Sequence, residues 1–355
     1  MTTLKQVARR AGVSPATASL VLNGRARELK ISDPAARRVL KAARKLGYRA
    51  NYHARTLSLG RSFTLGLAMG ADPEGGLLHR FWSAVAAGVD AAARQNDNDL
   101  LLIGPRPGEL VLERGIRCLQ EKRVDALIAV GALYESIPDS LLDLELPIVF
   151  VEASEPGPHP TVNMDPAPGI VEAVEHLARL GHRRVLWLGK QAERGIRLPE
   201  RAEAFRAAVK AAAIEGREHF VRTESGYDPR VERLIGRERE ALAGCLPFPE
   251  GTTAIICFND LMGLALYSLL AEHGLRVPRD VSVIGFDDLH ASRAVPPMTT
   301  ISHVLPQMGR EAVALALSVV DGDRSPEEMC GVVEVVPSRL VMRESTASAP
   351  DVSSK

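Results

Sequence analysis

The sequence predicts a small N-terminal all-α head joined to an α/β core of two doubly wound parallel-sheet subdomains. Three observations predict it. Residues 1–61 hold 14 Lys and Arg against 2 Asp and Glu (Glu28 and Asp33), a net charge of +12. The whole chain is balanced at 44 against 44, so the rest of it carries −12. From residue 63 onward, short apolar runs of strand length alternate with stretches of helix length. A basic head on an acidic body implies two different partners, and a basic helical head suits the phosphate backbone of nucleic acid.

The head reads as three short helices. Residues 4–10 place Leu4, Val7, Ala8 and Ala11 on one face, and Gly12-Val13 breaks the pattern. Ser14-Pro15 is a helix start, a hydroxyl N-cap followed by proline at the first helical position. The second helix covers 15–22 and stops at Asn23-Gly24. Ala8, Val13, Ala18 and Val21 pack the two helices together, and small Ala8 and Gly12 permit the close approach of a helix-turn-helix. A third helix fits 34–46, with Val39, Leu40, Ala43 and Leu46 inward and Arg37, Arg38, Lys41, Arg44 and Lys45 outward. A generic helical bundle with a solvated basic face is the alternative.

In the core, apolar runs suited to buried parallel strands are 63–69, 100–103, 126–130, 148–151, 185–188, 254–258 and 281–286. The helical stretches between them include 80–94, 110–122, 169–180, 200–213, 260–273 and 307–320. Ligands in such sheets bind beyond the carboxyl ends of strands, so polar residues at those ends are the site candidates. They are Glu152 after 148–151, Asn259-Asp260 after 254–258, and Asp287-Asp288 after 281–286. Arg201 near a helix start and Tyr227 in a loop join them. Carboxylates, amides and a guanidinium suit a hydroxyl-rich ligand, and an aromatic face stacks on a sugar ring. Each has a plainer reading: Asp260 as a helix cap, Asp288 as a turn residue, Glu152 and Tyr227 as solvated surface.

Val7-Ala8-Arg9-Arg10-Ala11-Gly12-Val13-Ser14-Pro15-Ala16-Thr17-Ala18-Ser19-Leu20-Val21-Leu22-Asn23-Gly24 resembles the N-terminal signature of the lactose/galactose-repressor family of bacterial transcription regulators. Leu46-Gly47-Tyr48-Arg49-Ala50-Asn51 and Ala54-Arg55-Thr56-Leu57 resemble that family too, and the similarity continues along the chain. The resemblance implies a periplasmic-binding-protein-like core and a recognition helix at 15–22. Pro15, Ala16 and Leu20 would face base edges, Thr17 and Ser19 phosphate, and Asn23 also belongs to the DNA-binding set. The family often carries arginine where Leu20 stands. Leucine makes apolar contact only, for instance with a thymine methyl. Residues 25–33 are longer than the family's usual loop. The segment 51–61 would be a hinge that orders on DNA, with Leu57 as a minor-groove wedge, Ala54 at the dimer contact and Asn51 beside them. Read without the family, it is a plain linker.

The resemblance also sorts the cleft. Phe258-Asn259-Asp260 and Gly285-Phe286-Asp287-Asp288 resemble the family's effector-site motifs, which favours Asn259 and Asp287. Arg201 matches the effector-binding arginine, and Tyr227 a sugar-stacking aromatic. Glu152 and His303 fall at cleft positions where the family has other polar residues, and Phe81, with His79-Arg80, at the first subdomain's cleft edge. The resulting division is a head at 1–50, a hinge at 51–61, a core at 62–346 and a disordered tail at 347–355. Within the core, 62–164 and 302–330 form the first subdomain, and 165–301 and 331–346 the second.

The reading is therefore of a ligand-responsive transcriptional repressor. As a homodimer it would bind a palindromic operator in double-stranded DNA, under control of a sugar or sugar derivative. A solute-binding protein and an α/β enzyme are the alternatives. Neither a phosphate loop nor a nucleophile elbow is present in the sequence, so no enzyme activity and no cofactor are expected. Cys118, Cys245, Cys257 and Cys330 lack metal-ligand spacing and read as small buried hydrophobes, so no metal is expected. No apolar run reaches membrane-span length, and the N-terminus lacks a signal-type apolar stretch, so a cytoplasmic protein is expected. The Ser/Thr/Ala/Pro-rich C-terminus has no leucine heptads, which favours a dimer over a tetramer.

Overall fold

The computed structural model describes residues 2–24, 26–27, 29–49, 56, 59–69, 80–104, 106, 108–131, 146–153, 157–191, 198–222 and 230–350. Its contacts divide the chain into two units, Met1–Phe63 and Thr64–Lys355.

The first unit contains helices α1 (Leu4–Ala11), α2 (Pro15–Leu22) and α3 (Asp33–Lys45). Helix α1 opens with a capping box. The Gln6 amide donates to the Thr3 hydroxyl, and the Thr3 amide donates to the Gln6 side chain. Gly12 ends the helix in the left-handed region at φ 67°. A Cβ there would meet nothing within 4 Å. Glycine is therefore needed for backbone conformation and not, as the sequence suggested, for close packing. Ser14 caps α2 through the Thr17 amide at 3.0 Å. Val7, Ala8, Ala11, Ala18, Val21, Val39, Ala42 and Ala43 form the buried core. Leu40, expected inside, is 44% exposed. Val39, Ala42 and Ala43 follow the i, i+3, i+4 spacing, and Leu40 lies about 100° off that face.

The second unit holds two six-stranded sheets. The first comprises β1 (Thr64–Met69), β2 (Asp99–Ile103), β3 (Ala126–Val130), β4 (Ile148–Val151), β5 (Thr161–Asp165) and β11 (Val333–Pro337), in the order β11-β5-β4-β3-β1-β2, all parallel. The second comprises β6 (Arg184–Lys190), β7 (Glu215–Val221), β8 (Ala254–Cys257), β9 (Ser282–Asp287), β10 (Thr299–Ser302) and β12 (Arg339–Val341), in the order β12-β10-β9-β8-β6-β7. Only β12 runs antiparallel among these pairings, against β10. Helices α4 (Arg80–Gln95), α5 (Val111–Gln120), α6 (Ala167–Arg179), α7 (Leu198–Ala211), α8 (Val231–Leu242), α9 (Asp260–Glu272) and α10 (Leu305–Val320) connect the strands. Helices α4 and α10 meet through glycines. A Cβ on Gly88 would come within 2.0 Å of the Pro306 carbonyl oxygen, and one on Gly309 within 2.3 Å of the Val85 carbonyl oxygen.

Three expectations need correction. The segment 331–346 does not belong wholly to the second subdomain. Val333–Pro337 pairs with β5 of the first sheet, and only Arg339–Val341 joins the second. Buried Ser338 sits at the crossing. Its amide donates to the Asp165 carbonyl at 2.9 Å, and its hydroxyl accepts from the Gly169 amide at 3.0 Å. Second, residues 347–350 are ordered. The Ala349 amide donates to the Leu180 carbonyl at 2.8 Å, and the Ala347 amide to the Ser282 hydroxyl at 3.1 Å. Small side chains let this segment lie close to the amino ends of the second sheet; residues 351–355 lie outside the described residues. Third, Cys330 is exposed, whereas Cys118, Cys245 and Cys257 are buried. Among the described residues no helix is long and apolar enough to cross a membrane.

Candidate DNA-reading face and effector cleft

Helix α2 buries Ala18 and Val21 and leaves Pro15 and Ala16 exposed, with Leu20 half-buried. The Thr17 and Ser14 hydroxyls bond each other at 2.8 Å. The Asn23 side-chain amide reaches the Ser19 hydroxyl at 3.4 Å. On α1 and α3, Arg9, Arg10, Arg37, Arg38, Lys41, Arg44 and Lys45 are exposed. Arg38 also donates to the Ala11 carbonyl at 3.0 Å, which ties α3 to the end of α1. Asn51, Ala54 and Leu57 lie outside the described residues.

In the core, strand ends bring five of the seven effector candidates into one electrostatic and aromatic cluster. Arg201 on α7 is its centre. Its guanidinium lies 4.1 Å from the Phe286 ring and 4.5 Å from the Phe258 ring, and Nη1 donates to the Phe258 carbonyl at 2.8 Å. Nη2 stands 3.4 Å from His303 Nε2, which is 2.6 Å from Asp287 Oδ1. One nitrogen cannot donate to the carboxylate and accept from the guanidinium together. The short contact assigns the proton to Nε2, directed at Asp287. Nδ1 of this buried histidine has no hydrogen-bond partner. Phe81 on α4 packs edge-on against the His303 ring at 5.2 Å, so the first subdomain reaches the cluster.

Burial lowers the Arg201 pKa, and the charges of Asp287, then Glu152 and Glu200, oppose that fall. Glu152 thus lies within electrostatic reach of Arg201, while its Oε1 accepts from the Met164 amide at 2.8 Å. Backbone strain gathers at the same strand ends. Glu152, Asp287, Asp288 and Val304 have φ of 58°, 101°, 61° and 52°. Tyr227 and His79 lie outside the described residues.

The remaining candidates serve the scaffold. Asn259 caps α9 by accepting from the Met262 amide at 2.8 Å, which leaves its NH2 group for a ligand. Asp260 is buried and wholly occupied. Its Oδ2 accepts from the amides of Leu289, His290 and Ala291 at 2.8, 2.9 and 3.1 Å, and its Oδ1 from the Thr300 hydroxyl at 2.6 Å. Asp288 pairs with Arg343 at 2.7 Å. Sequence reasoning missed Trp82. It meets Phe81 edge-on at 4.6 Å and covers Gly131 just past the carboxyl end of β3, where a Cβ would lie 2.8 Å from its ring. An aromatic one position after Phe81 was the available signal. Phe258 and Phe286 were read as parts of motifs, without their place against the Arg201 guanidinium. Two depressions, of about 200 Å³ and about 520 Å³, lie at the amino ends of the strands around Pro160 and Thr253. They are away from the carboxyl ends where such sheets bind ligands.

His290, whose amide binds Asp260, titrates far from its ordinary range. Burial pushes it down to about 4; Arg80 and Arg293 act the same way and Asp287 opposes them. A depressed histidine contributes stability that is complete above its unfolded pKa of 6.5 and is lost as pH falls towards 4. The chain is expected to lose thermal stability relative to a His290→Gln variant over that interval. Parallel melting curves across it would contradict the assignment.

These two sites define a class, the ligand-responsive DNA-binding regulator. The description "Bacterial regulatory proteins, lacI family" matches residues 3–51, and "Periplasmic binding protein-like domain" matches residues 174–346. The transcriptional regulator GalR of Salmonella typhimurium is 30% identical over 99% of this chain and 98% of its own length. The repressor PurR of Photobacterium profundum is 31% identical over 97% and 98%. Among solved structures, a CelR–cellobiose complex is 27% identical with a TM-score of 0.62, covering 97% of this chain and all of that one. A lac repressor dimer bound to operator and an anti-inducer has a TM-score of 0.74 at 24% identity, covering 98% and 99%. The chain belongs to the LacI family and is a DNA-binding transcriptional regulator rather than an enzyme.

Proposed function

We propose that this regulator represses transcription as a homodimer bound to a roughly palindromic operator, and that a sugar or sugar derivative controls it from the cleft. The observation that carries the cleft reading is the stacked Phe258–Arg201–Phe286 group, joined through His303 to Asp287. It offers guanidinium donors and carboxylate acceptors beside aromatic faces, the combination that recognises a polyhydroxylated ring. We assign ligand contact to Glu152, Arg201, Asn259, Asp287, His303 and Phe81, with Tyr227 held on the resemblance alone. Trp82 joins them as a further aromatic face. Pro15, Ala16, Thr17, Ser19, Leu20 and Asn23 form the DNA-facing side of the head at 1–50. Asn51, Ala54 and Leu57 belong to a connecting hinge at 51–61, with Leu57 as the minor-groove wedge. A cytoplasmic location follows from an operator on bacterial DNA.

Ligand control requires the ligand to favour one arrangement of the two subdomains. The same coupling then acts in reverse, so operator changes ligand affinity by the factor by which ligand changes operator affinity. A panel of neutral sugars, amino sugars and sugar acids is expected to contain a member that raises the melting temperature of the chain and shifts its operator affinity. A ligand that stabilises the chain and leaves operator binding unchanged would separate binding from control and contradict the reading.

A further inference from the structure

We infer that this regulator reads its operator through thymine methyl groups, by an apolar patch of Pro15, Ala16 and Leu20 on α2. The inference rests on α2 being the recognition helix. That helix carries no Arg, Lys, Gln, Glu or Asp between residues 15 and 23. The two buried positions, Ala18 and Val21, fix which side faces inward. The opposite side presents Pro15 and Ala16, both exposed, and half-buried Leu20. Ala16 and Leu20, four residues apart, stand one turn above the other on that side.

The polar groups beside the patch bond one another within the head, the Asn23 contact through its side-chain nitrogen alone. The Ser14 hydroxyl accepts from the Thr17 amide and bonds the Thr17 hydroxyl, and Asn23 leans on Ser19. A bidentate guanine contact needs a long cationic side chain, and none stands here. The base-edge feature in the major groove that an apolar side chain can select is the C5-methyl of thymine. The exposed cations of α1 and α3 act differently. Arg9, Arg10, Arg37, Lys41 and Lys45 supply phosphate attraction that is strong and blind to sequence. Sequence choice therefore falls on methyl contact, and the two half-sites should be rich in A·T pairs opposite residues 15, 16 and 20.

The test uses the full chain at one fixed salt concentration. Operators are first selected from a randomised duplex library. Each thymine of the enriched half-sites is then replaced by uracil, which removes the methyl and keeps the pairing. Affinity should fall about fourfold for each contacted methyl, the factor that burying one such group supplies. A 5-methylcytosine at the same position should bind more tightly than cytosine. Leu20→Ala should bind thymine and uracil operators almost alike, and Leu20→Arg should move the enriched base towards guanine. Equal affinity for thymine and uracil operators would overturn the inference, as would a thymine preference undiminished in Leu20→Ala. Failure to enrich any sequence would overturn the reading of α2 as a recognition helix, a different result from an enriched operator that is blind to methyl groups.

Discussion

Asp260→Ala is expected to destabilise the second unit by about 3–5 kcal/mol, a large fraction of the stability of an ordinary domain. The carboxylate receives four donors, three consecutive backbone amides and the Thr300 hydroxyl. Through them it joins the start of α9 to the turn after β9 and to β10. Alanine leaves those donors in a site too enclosed for water to replace every bond, and each orphaned buried group costs about 1–3 kcal/mol. Burial, and secondarily the nearby Asp287 charge, push the Asp260 carboxyl up to about 7, against the pull of those bonds. Asp260→Asn, which keeps one oxygen acceptor, should lose less than the alanine variant. A melting temperature within about 2 °C of the parent for Asp260→Ala would show that the network has no structural weight.

The Asp260 result also marks where sequence reading stopped. The strand and helix alternation was legible because buried parallel strands are continuous apolar runs, as in Ala126–Val130 and Ile148–Val151. The head was legible through caps and turn residues at short range. Strands without such runs were not. β7, Glu215–Val221, is an exposed edge rich in charge, and β5 alternates Thr161 and Asn163 with Val162 and Met164. The place of β11 in the first sheet depends on pairings more than 160 residues apart, such as Val333 with Thr161, which no local pattern encodes. In the cleft, residue types at strand ends pointed to Glu152, Asn259 and Asp287, Arg201 stood near a helix start, and His303 came from the family resemblance alone. Their division of labour was not visible. Nothing in the order Asn259-Asp260 says that the first caps the helix with one oxygen while the second is consumed by three amides. Nor does the sequence show that Phe258 and Phe286 both pack against the Arg201 guanidinium.

That packing makes Arg201 the position where the largest functional loss is expected. Arg201→Ala should abolish the shift in operator affinity caused by the effector and weaken effector binding at least 100-fold, with the chain still bound to operator through its head. The guanidinium is held by two rings, one carbonyl and the approach of His303, so its orientation is set before a ligand arrives. A preoriented donor loses little freedom on binding, and charge-assisted hydrogen bonds are worth about 1.5–3 kcal/mol each. Two of them account for the expected loss. Arg201→Lys should not restore it, because an ammonium lacks the planar face that packs against the Phe258 and Phe286 rings and the fork of donors that reaches the Phe258 carbonyl and the ligand together. Removal of the cation also leaves Asp287 facing His303 alone. The ligand, not only the fold, then meets an excess of negative charge. Calorimetric titration of each variant with the effector, beside operator binding with and without it, separates these contributions. Retained effector binding and a normal operator response in Arg201→Ala would move the ligand site away from this cluster. Lost response with unchanged effector affinity would make Arg201 a coupling residue that transmits the ligand's presence without holding it.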